Sequence, residues 1–284
     1  MNREAKVLNY DGGKRFGFDA FQLKLFALAA MTLDHIFKFL SPPLAIPRWF
    51  HLAGRFAAPL FLFFCAEGFA HTRDRPRYMR RLYAAHVLMS AGNTLLSECL
   101  PLPSGLYIEN AMFGTLFLTV LTLWSIDRLR NGRGKARLLG LAGLLLPLLG
   151  LFLVLAAEFA YDRTGQRDFL YAVWLVRALF PSWLTVEVGW LYPLMGVGFY
   201  CLRNLRWGSL AVMAAAAAIT VLAIGTSQLT PEKWASLACF CLAAVPMLLY
   251  NGEPGKHRMK WLFYLYYPGH IYCLYLFSWI LQNG

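Results

Sequence analysis

Two residues in the first apolar stretch have the types and spacing for chemistry. Lys24 and His35 stand eleven residues apart in LKLFALAAMTLDHIFKFL. At about 100° per residue, eleven steps return to within about 20° of the starting direction, so on a helix His35 lies above Lys24, roughly 16 Å along the axis. Ionisable groups are expensive in a bilayer and usually face a bundle interior or a water-filled cavity. Asp34 points about 100° away from His35. A second histidine, His270, lies in the last apolar stretch, KWLFYLYYPGHIYCLYLF. Just before it, Pro268 frees the carbonyl of Tyr264 and Gly269 loosens the turn. Such breaks are tolerated in membrane helices where the freed groups line a cavity or find internal partners. His35, Asp34 and His270 are the candidate catalytic residues. The plainer account is a snorkelling lysine beside a histidine that ties helices together.

Other polar groups gather in the same parts of the chain. The second apolar stretch opens with HLAGRFAAPLF and closes with FFCAEGFAHTR, placing Arg55 near one end and Glu67 near the other. Arg55 is at a depth where it can pair with Asp34, a structural role, and Glu67 can pair with His71 one turn on. The third stretch carries His86, Ser90, Asn93 and Ser97 at spacings of 4, 3 and 4, one polar stripe that suits either a cavity wall or interhelical hydrogen bonds. Glu109 and Asn110 begin the fourth, Glu187 begins a later one, and Lys260 precedes the last. Lys24, Arg55 and Lys260 are the candidate cofactor-binding cations. Glu67, His86, Asn93 and Asn110 are the candidate supporting polar residues.

These groups need helices in a membrane to position them. Of the 284 residues 58% are hydrophobic and only 15% charged, with mean hydropathy +0.48, against roughly a quarter charged in a soluble domain. Apolar runs near 21–40, 49–71, 80–100, 107–126, 138–157, 185–202, 207–228, 234–250 and 261–281 predict an all-α polytopic bundle of about nine transmembrane helices in a single domain, 1–284. Lys and Arg set the orientation. The N-terminal lead, the loop at Arg73–Arg81 and the loop at Arg128–Arg137 are basic, whereas Pro101–Leu106 holds no Lys or Arg. The positive-inside rule then puts the N-terminus in the cytoplasm and the C-terminus outside. The parity holds if 165–183, interrupted by Arg177 and closed by Pro181, lies on or dips into the outer face.

Composition also excludes other classes. The net charge of +12 sits in the loops facing the cytoplasm, without the basic, aromatic-interleaved stretch of a nucleic-acid binder. The lead to Phe21 is long and polar, and the first apolar run has no small-residue cleavage site, so no cleaved signal is expected. The six cysteines show no CxxC pairing and support neither a disulfide framework nor a zinc or other metal site.

Four blocks in order carry a resemblance: LKLFALAAMTLDHIFKFL, GRFAAPLFLFFCAEGFAHTR with YMRRL, IENAMFGTLFLTVL and KWLFYLYYPGHIYCLYL. Together they resemble the TraX family, membrane proteins named for the acetyltransferase that modifies the N-terminus of F-type conjugative pilin. The lysine and the histidine eleven residues on also resemble the basic-x10-His motif of the acyltransferase-3 superfamily. The resemblance implies an acyl-CoA-dependent N- or O-acetyltransferase of the bacterial inner membrane. Lys24 would lie at the phosphates of acetyl-CoA and His35 at the acyl transfer, with His270 as the family's final-span histidine. Gly269 departs from the larger residue the family has after its proline. Direct transfer and an acetyl-histidine intermediate both stay open, as do the acceptor (pilin, glycan or small molecule) and the oligomeric state. Two other readings remain: a proton-coupled transporter, because buried acid and histidine chains also relay protons, and a non-catalytic envelope assembly factor.

The charge pattern makes a topological prediction. Alkaline phosphatase, which needs an extracytoplasmic location, should be active when fused after Gly284 and inactive when fused after Gly132; the reverse result would invert the orientation.

Overall fold

The computed structural model describes residues 17–110, 112–187, 189–255 and 260–284, with the side chain of Lys260 left aside. The described residues are helical apart from turns and one isolated bridge between Phe18 and Tyr250. The first helix, α1 (Ala20–Leu40), starts at a capping box in which Asp19 accepts from the Gln22 amide and the Gln22 side chain accepts from the Asp19 amide. Leu23, Ala27, Met31, His35 and Phe39 form one buried stripe along it. His35 therefore faces the core because of its helical phase.

Several expected spans are broken, each for a local reason. The stretch 49–71 divides into α2 (Trp49–Gly54) and α3 (Ala57–His71). Pro59 has no amide hydrogen to give the Arg55 carbonyl, so the helix restarts there. The third helix of the bundle, α4 (Arg75–Cys99), begins at the Asp74 cap, which accepts from the Arg77 amide. The stretch expected at 107–126 becomes helical only in α5 (Met112–Asn131). Before it, side chains of α4 hold the extended backbone: Ser97 Oγ accepts from the Ile108 amide at 3.2 Å, and Asn93 Nδ2 donates to the Asn110 carbonyl at 2.7 Å. Pro246 likewise separates α10 (Pro231–Leu242) from α11 (Ala244–Leu248).

The middle of the chain differs most from expectation. Helix α6 (Lys135–Thr164) packs on α5 through the small residues Gly140 and Gly143, while Gly150 lies against Phe180. Helix α7 (Arg167–Leu179) then turns back along it. The Leu179 carbonyl accepts from Tyr83 at 2.9 Å and the Arg177 carbonyl accepts from His86 at 3.3 Å, so the C-terminal end of α7 lies beside the middle of α4. The span expected at 185–202 is helical only over α8 (Leu191–Cys201), 11 residues against the ~20 that cross a bilayer. Helices α9 (Gly208–Ile224) and α12 (Lys260–Asn283) complete the bundle, α12 running unbroken through Pro268.

Among the described residues, three helical stretches are long and apolar enough to cross a membrane: Trp49–His71, Met112–Asn131 and Lys135–Thr164. On α6, Leu138, Leu145, Leu149, Phe152 and Phe159 are all exposed. Such a contiguous apolar face fits lipid and not water. The chain is a helical membrane protein.

Close packing makes a paired prediction. A side chain at Gly196 on α8 would collide with Thr119 on α5, whereas one at Gly269 meets open space. Gly196→Leu should cost about 1–3 kcal/mol and lower the melting temperature in detergent. Gly269→Ala should leave it unchanged or raise it.

Candidate functional site

The buried stripe of α1 brings His35 against α12. His35 is 4% exposed, and its Nδ1 lies 2.7 Å from His270 Nε2. The tautomers follow from the outer partners. His270 Nδ1 lies 2.7 Å from the Tyr266 carbonyl, which can only accept, so His270 carries its hydrogen on Nδ1 and offers the bare Nε2. His35 must then donate from Nδ1, leaving its Nε2 as the basic nitrogen. That nitrogen accepts from Asn110 Nδ2 at 2.8 Å.

Asn110 is 1% exposed and its amide orientation is fixed from both sides. Lys38 Nζ can only donate, and it donates to Asn110 Oδ1 at 3.0 Å. The Glu187 carboxylate accepts from Asn110 Nδ2 at 2.9 Å, and also from Tyr267 Oη at 3.0 Å. Tyr267 Oη in turn accepts from the Met112 amide at 3.1 Å. One chain of polarised hydrogen bonds thus runs from the Tyr266 carbonyl through both histidines to Asn110, Lys38 and Glu187.

Asp34 belongs to a second cluster. Its carboxylate accepts from His51 Nδ1 at 2.7 Å, and Arg55 donates to His51 Nε2 at 2.7 Å. His51 therefore stands between the two residues that the sequence suggested could pair directly. Gly54 lets α2 close onto Asp34, because any side chain there would overlap it.

Both clusters face one cavity of about 1010 Å³, whose walls include His35, Lys38, His51, Asn110, Glu187 and Tyr267. Lys24 lies elsewhere. It lines a separate cavity of about 270 Å³ with Cys65, Tyr78, Arg81, Phe263 and Tyr264. The Lys24 ammonium sits over the Phe64 ring at 5.1 Å and the Phe263 ring at 5.8 Å. The two cavities lie towards opposite ends of α1.

The structure thus assembles His35, His270 and Asn110, and seats Asn93 beside them. It places Asp34 in the same cavity on other partners. His86 lines that cavity but spends Nε2 on the Arg177 carbonyl. Arg55 shares the cavity of His35 and not that of Lys24. Glu67 lines neither cavity and lies 3.8 Å from His71. The side chain of Lys260 lies outside the described residues. Lys38, His51, Tyr266 and Tyr267 are participants that sequence reasoning did not select as site residues, and Glu187 was noted only as a polar group at the start of a span. The tyrosines had a local signal in their place just before Pro268 and His270.

A lipid-facing helical bundle enclosing a buried chain of histidine, amide and carboxylate defines an integral-membrane protein with an interior polar site. The family model for the TraX protein matches residues 20–278, and the chain belongs to the TraX family. It is also 41% identical over 70 residues to "Probable fimbrial assembly protein FimC, serogroup H1" of Dichelobacter nodosus, a match covering 24% of this chain and 29% of that relative. The chain therefore spans less than a third of that relative's length. No solved structure matches it.

The hub position of Asn110 predicts a large effect on stability. Asn110→Ala strands hydrogen-bonding groups on His35, Lys38 and Glu187, and should cost at least about 1–3 kcal/mol in thermal or denaturant unfolding in detergent. Asn131→Ala, which removes only an exposed bond to Asp127, should stay within about 0.5 kcal/mol of wild type.

Proposed function

We propose that the protein is a membrane acyltransferase that takes an acetyl group from cytosolic acetyl-CoA and passes it to an amine or hydroxyl acceptor reaching the opposite face. One observation carries this reading: a small cavity with two cations and a large cavity with the basic nitrogen of His35 meet at a shared wall. Lys24 and Arg81 suit the phosphates of CoA. The remaining walls of the small cavity, rich in Leu, Phe and Tyr, suit an uncharged thioester arm.

The chemistry centres on His35 Nε2. In a direct transfer it takes the acceptor's proton; in a two-step route it takes the acyl group first. His270 serves both routes by accepting from His35 Nδ1, which keeps the lone pair on Nε2 and supports positive charge on the ring. Asn110 Nδ2, bonded at rest to His35 Nε2 and Glu187, must release His35 Nε2 for it to react and can then donate to the oxygen that gains charge as the carbonyl is attacked. The Asp34–His51–Arg55 cluster shapes the acceptor's side of the cavity. Membership of the TraX family and the fimbrial relative support a pilin or fimbrial subunit as acceptor, alongside a glycan or small molecule.

In this reading the N-terminus lies in the cytoplasm and the chain crosses the bacterial cytoplasmic membrane nine times. α7, which ends at Leu179, and α8, which begins at Leu191, together make one of the crossings. Broken helices of this kind line internal sites in membrane proteins. The same arrangement, with cavities towards opposite ends and a polar chain between, also favours proton-coupled transport as a second reading.

Acetyl-CoA binding by the purified protein separates the two. At about 100 times its dissociation constant the ligand should add about 2.7 kcal/mol, read as a rise in melting temperature. Wild type and His35→Ala should be stabilised and Lys24→Ala much less. Failure of acetyl-CoA, longer acyl-CoAs and free CoA to bind would overturn the acyltransferase reading. Substrate-driven proton flux without acyl-CoA would put transport in its place.

A further inference from the structure

Four side chains belong to both cavities: Met31 on α1, Phe61 on α3, Met112 at the start of α5 and Tyr267 on α12. Met31, Met112 and Tyr267 are each no more than 7% exposed, whereas Phe61 is half-buried. The parts of this shared wall differ in stiffness. The two methionines are unbranched and can change shape. Tyr267 is held by its hydroxyl, which donates to Glu187 and accepts from the Met112 amide, and its ring packs edge-on against Phe113 at 5.1 Å.

Resting on the acyltransferase reading, the geometry points to this wall as a filter for the length of the acyl group. Lys24 and Arg81 hold the CoA end in the small cavity, while His35 lines only the large one. The acyl group is the leading end of the thioester. It must pass the wall before its carbonyl can reach His35, and it then extends into the large cavity. Beside His35 it meets Asn110, Lys38 and Glu187, polar groups that return nothing for the burial of methylenes, while Leu151, Val154 and Leu155, apolar residues of that cavity's wall, belong to α6. A methyl group needs only a rotation of the methionines. A longer straight chain is no wider, but each of its methylenes must thread the same gap before the carbonyl arrives, with Phe61 and the Tyr267 ring held aside throughout. The filter therefore selects acetyl and rejects medium-chain acyl groups, and Tyr267 with its two hydrogen bonds is its least yielding member.

Hydroxylamine serves as a small surrogate acceptor. The thioester C–S bond breaks, a C–N bond forms, and CoA leaves as the thiol with the proton lost by the nucleophile. CoA release is compared for acetyl-CoA and hexanoyl-CoA in wild type, Met31→Ala, Phe61→Leu and Tyr267→Phe, with thermal stabilisation by free CoA measured in parallel. Wild type should prefer acetyl-CoA by at least about tenfold, the scale on which pockets discriminate methylenes. Met31→Ala, Phe61→Leu and Tyr267→Phe should each reduce that preference several-fold, by raising release from hexanoyl-CoA relative to acetyl-CoA. Absence of the preference in wild type, or its persistence in all three variants while free CoA still binds, would overturn the filter. If neither acetyl-CoA nor free CoA binds wild type, the acyltransferase reading itself falls and takes the filter with it.

Discussion

The Asn110 amide is the constraint on which the interior depends. It joins three parts of the chain that share no local connection: α1 through His35 and Lys38, the extended segment before α5 through its own backbone, and the turn after α7 through Glu187. A carboxamide suits this position because it presents donor and acceptor on opposite sides. A lysine that can only give hydrogens and a carboxylate that can only take them then leave it one orientation. With that orientation set, His35 Nε2 has a donor facing it, and the proton positions of both histidines follow.

Such a hub needs non-helical backbone away from the ends of the bundle, which is costly unless every group is paired. The molecule meets the cost with side chains from a neighbouring helix. Ser97 and Asn93 of α4 hold the segment before α5, while Tyr83 and His86 hold the end of α7. The polar stripe of α4 thus does both things its spacing allowed, bonding to neighbours and lining the large cavity. The breaks also bring the first turns of α3, α5 and α8 to that cavity, through Ala57, Met112 and Tyr192. Their backbone amides add partial positive charge at the walls, beside Asp34, Glu109 and Glu187.

The outer and inner surfaces divide the labour. Helix α6 offers leucine and phenylalanine outward and glycine inward, and the ionisable group it brings to the large cavity, Glu158, is paired with Arg177. Polar side chains collect instead between α1, α4, α5 and α12. A cationic pocket towards one end of α1 and a histidine-bearing one towards the other, separated by four side chains, allow reactants from the two sides of a membrane to meet without an open pore. That arrangement is the physical content of the proposed acyl transfer.

The sequence by itself determined the helical class, the membrane setting and the inward phase of His35, because hydrophobic periodicity and composition are properties of neighbouring residues. It singled out His270 for the same reason, through the proline one turn away from the affected carbonyl. It also showed the prolines, Pro59 and Pro246, that divide two expected spans, although apolar run length concealed the divisions. Only the tertiary structure decided that Asp34 turns to His51 and not to Arg55, that Lys24 and His35 face different cavities despite sharing a helix face, and that Glu187 reaches Asn110. Those outcomes depend on which helices meet and at what depth. Helix periodicity gives the direction of a side chain, but the partner it finds depends on contacts between residues as far apart as His35 and His270.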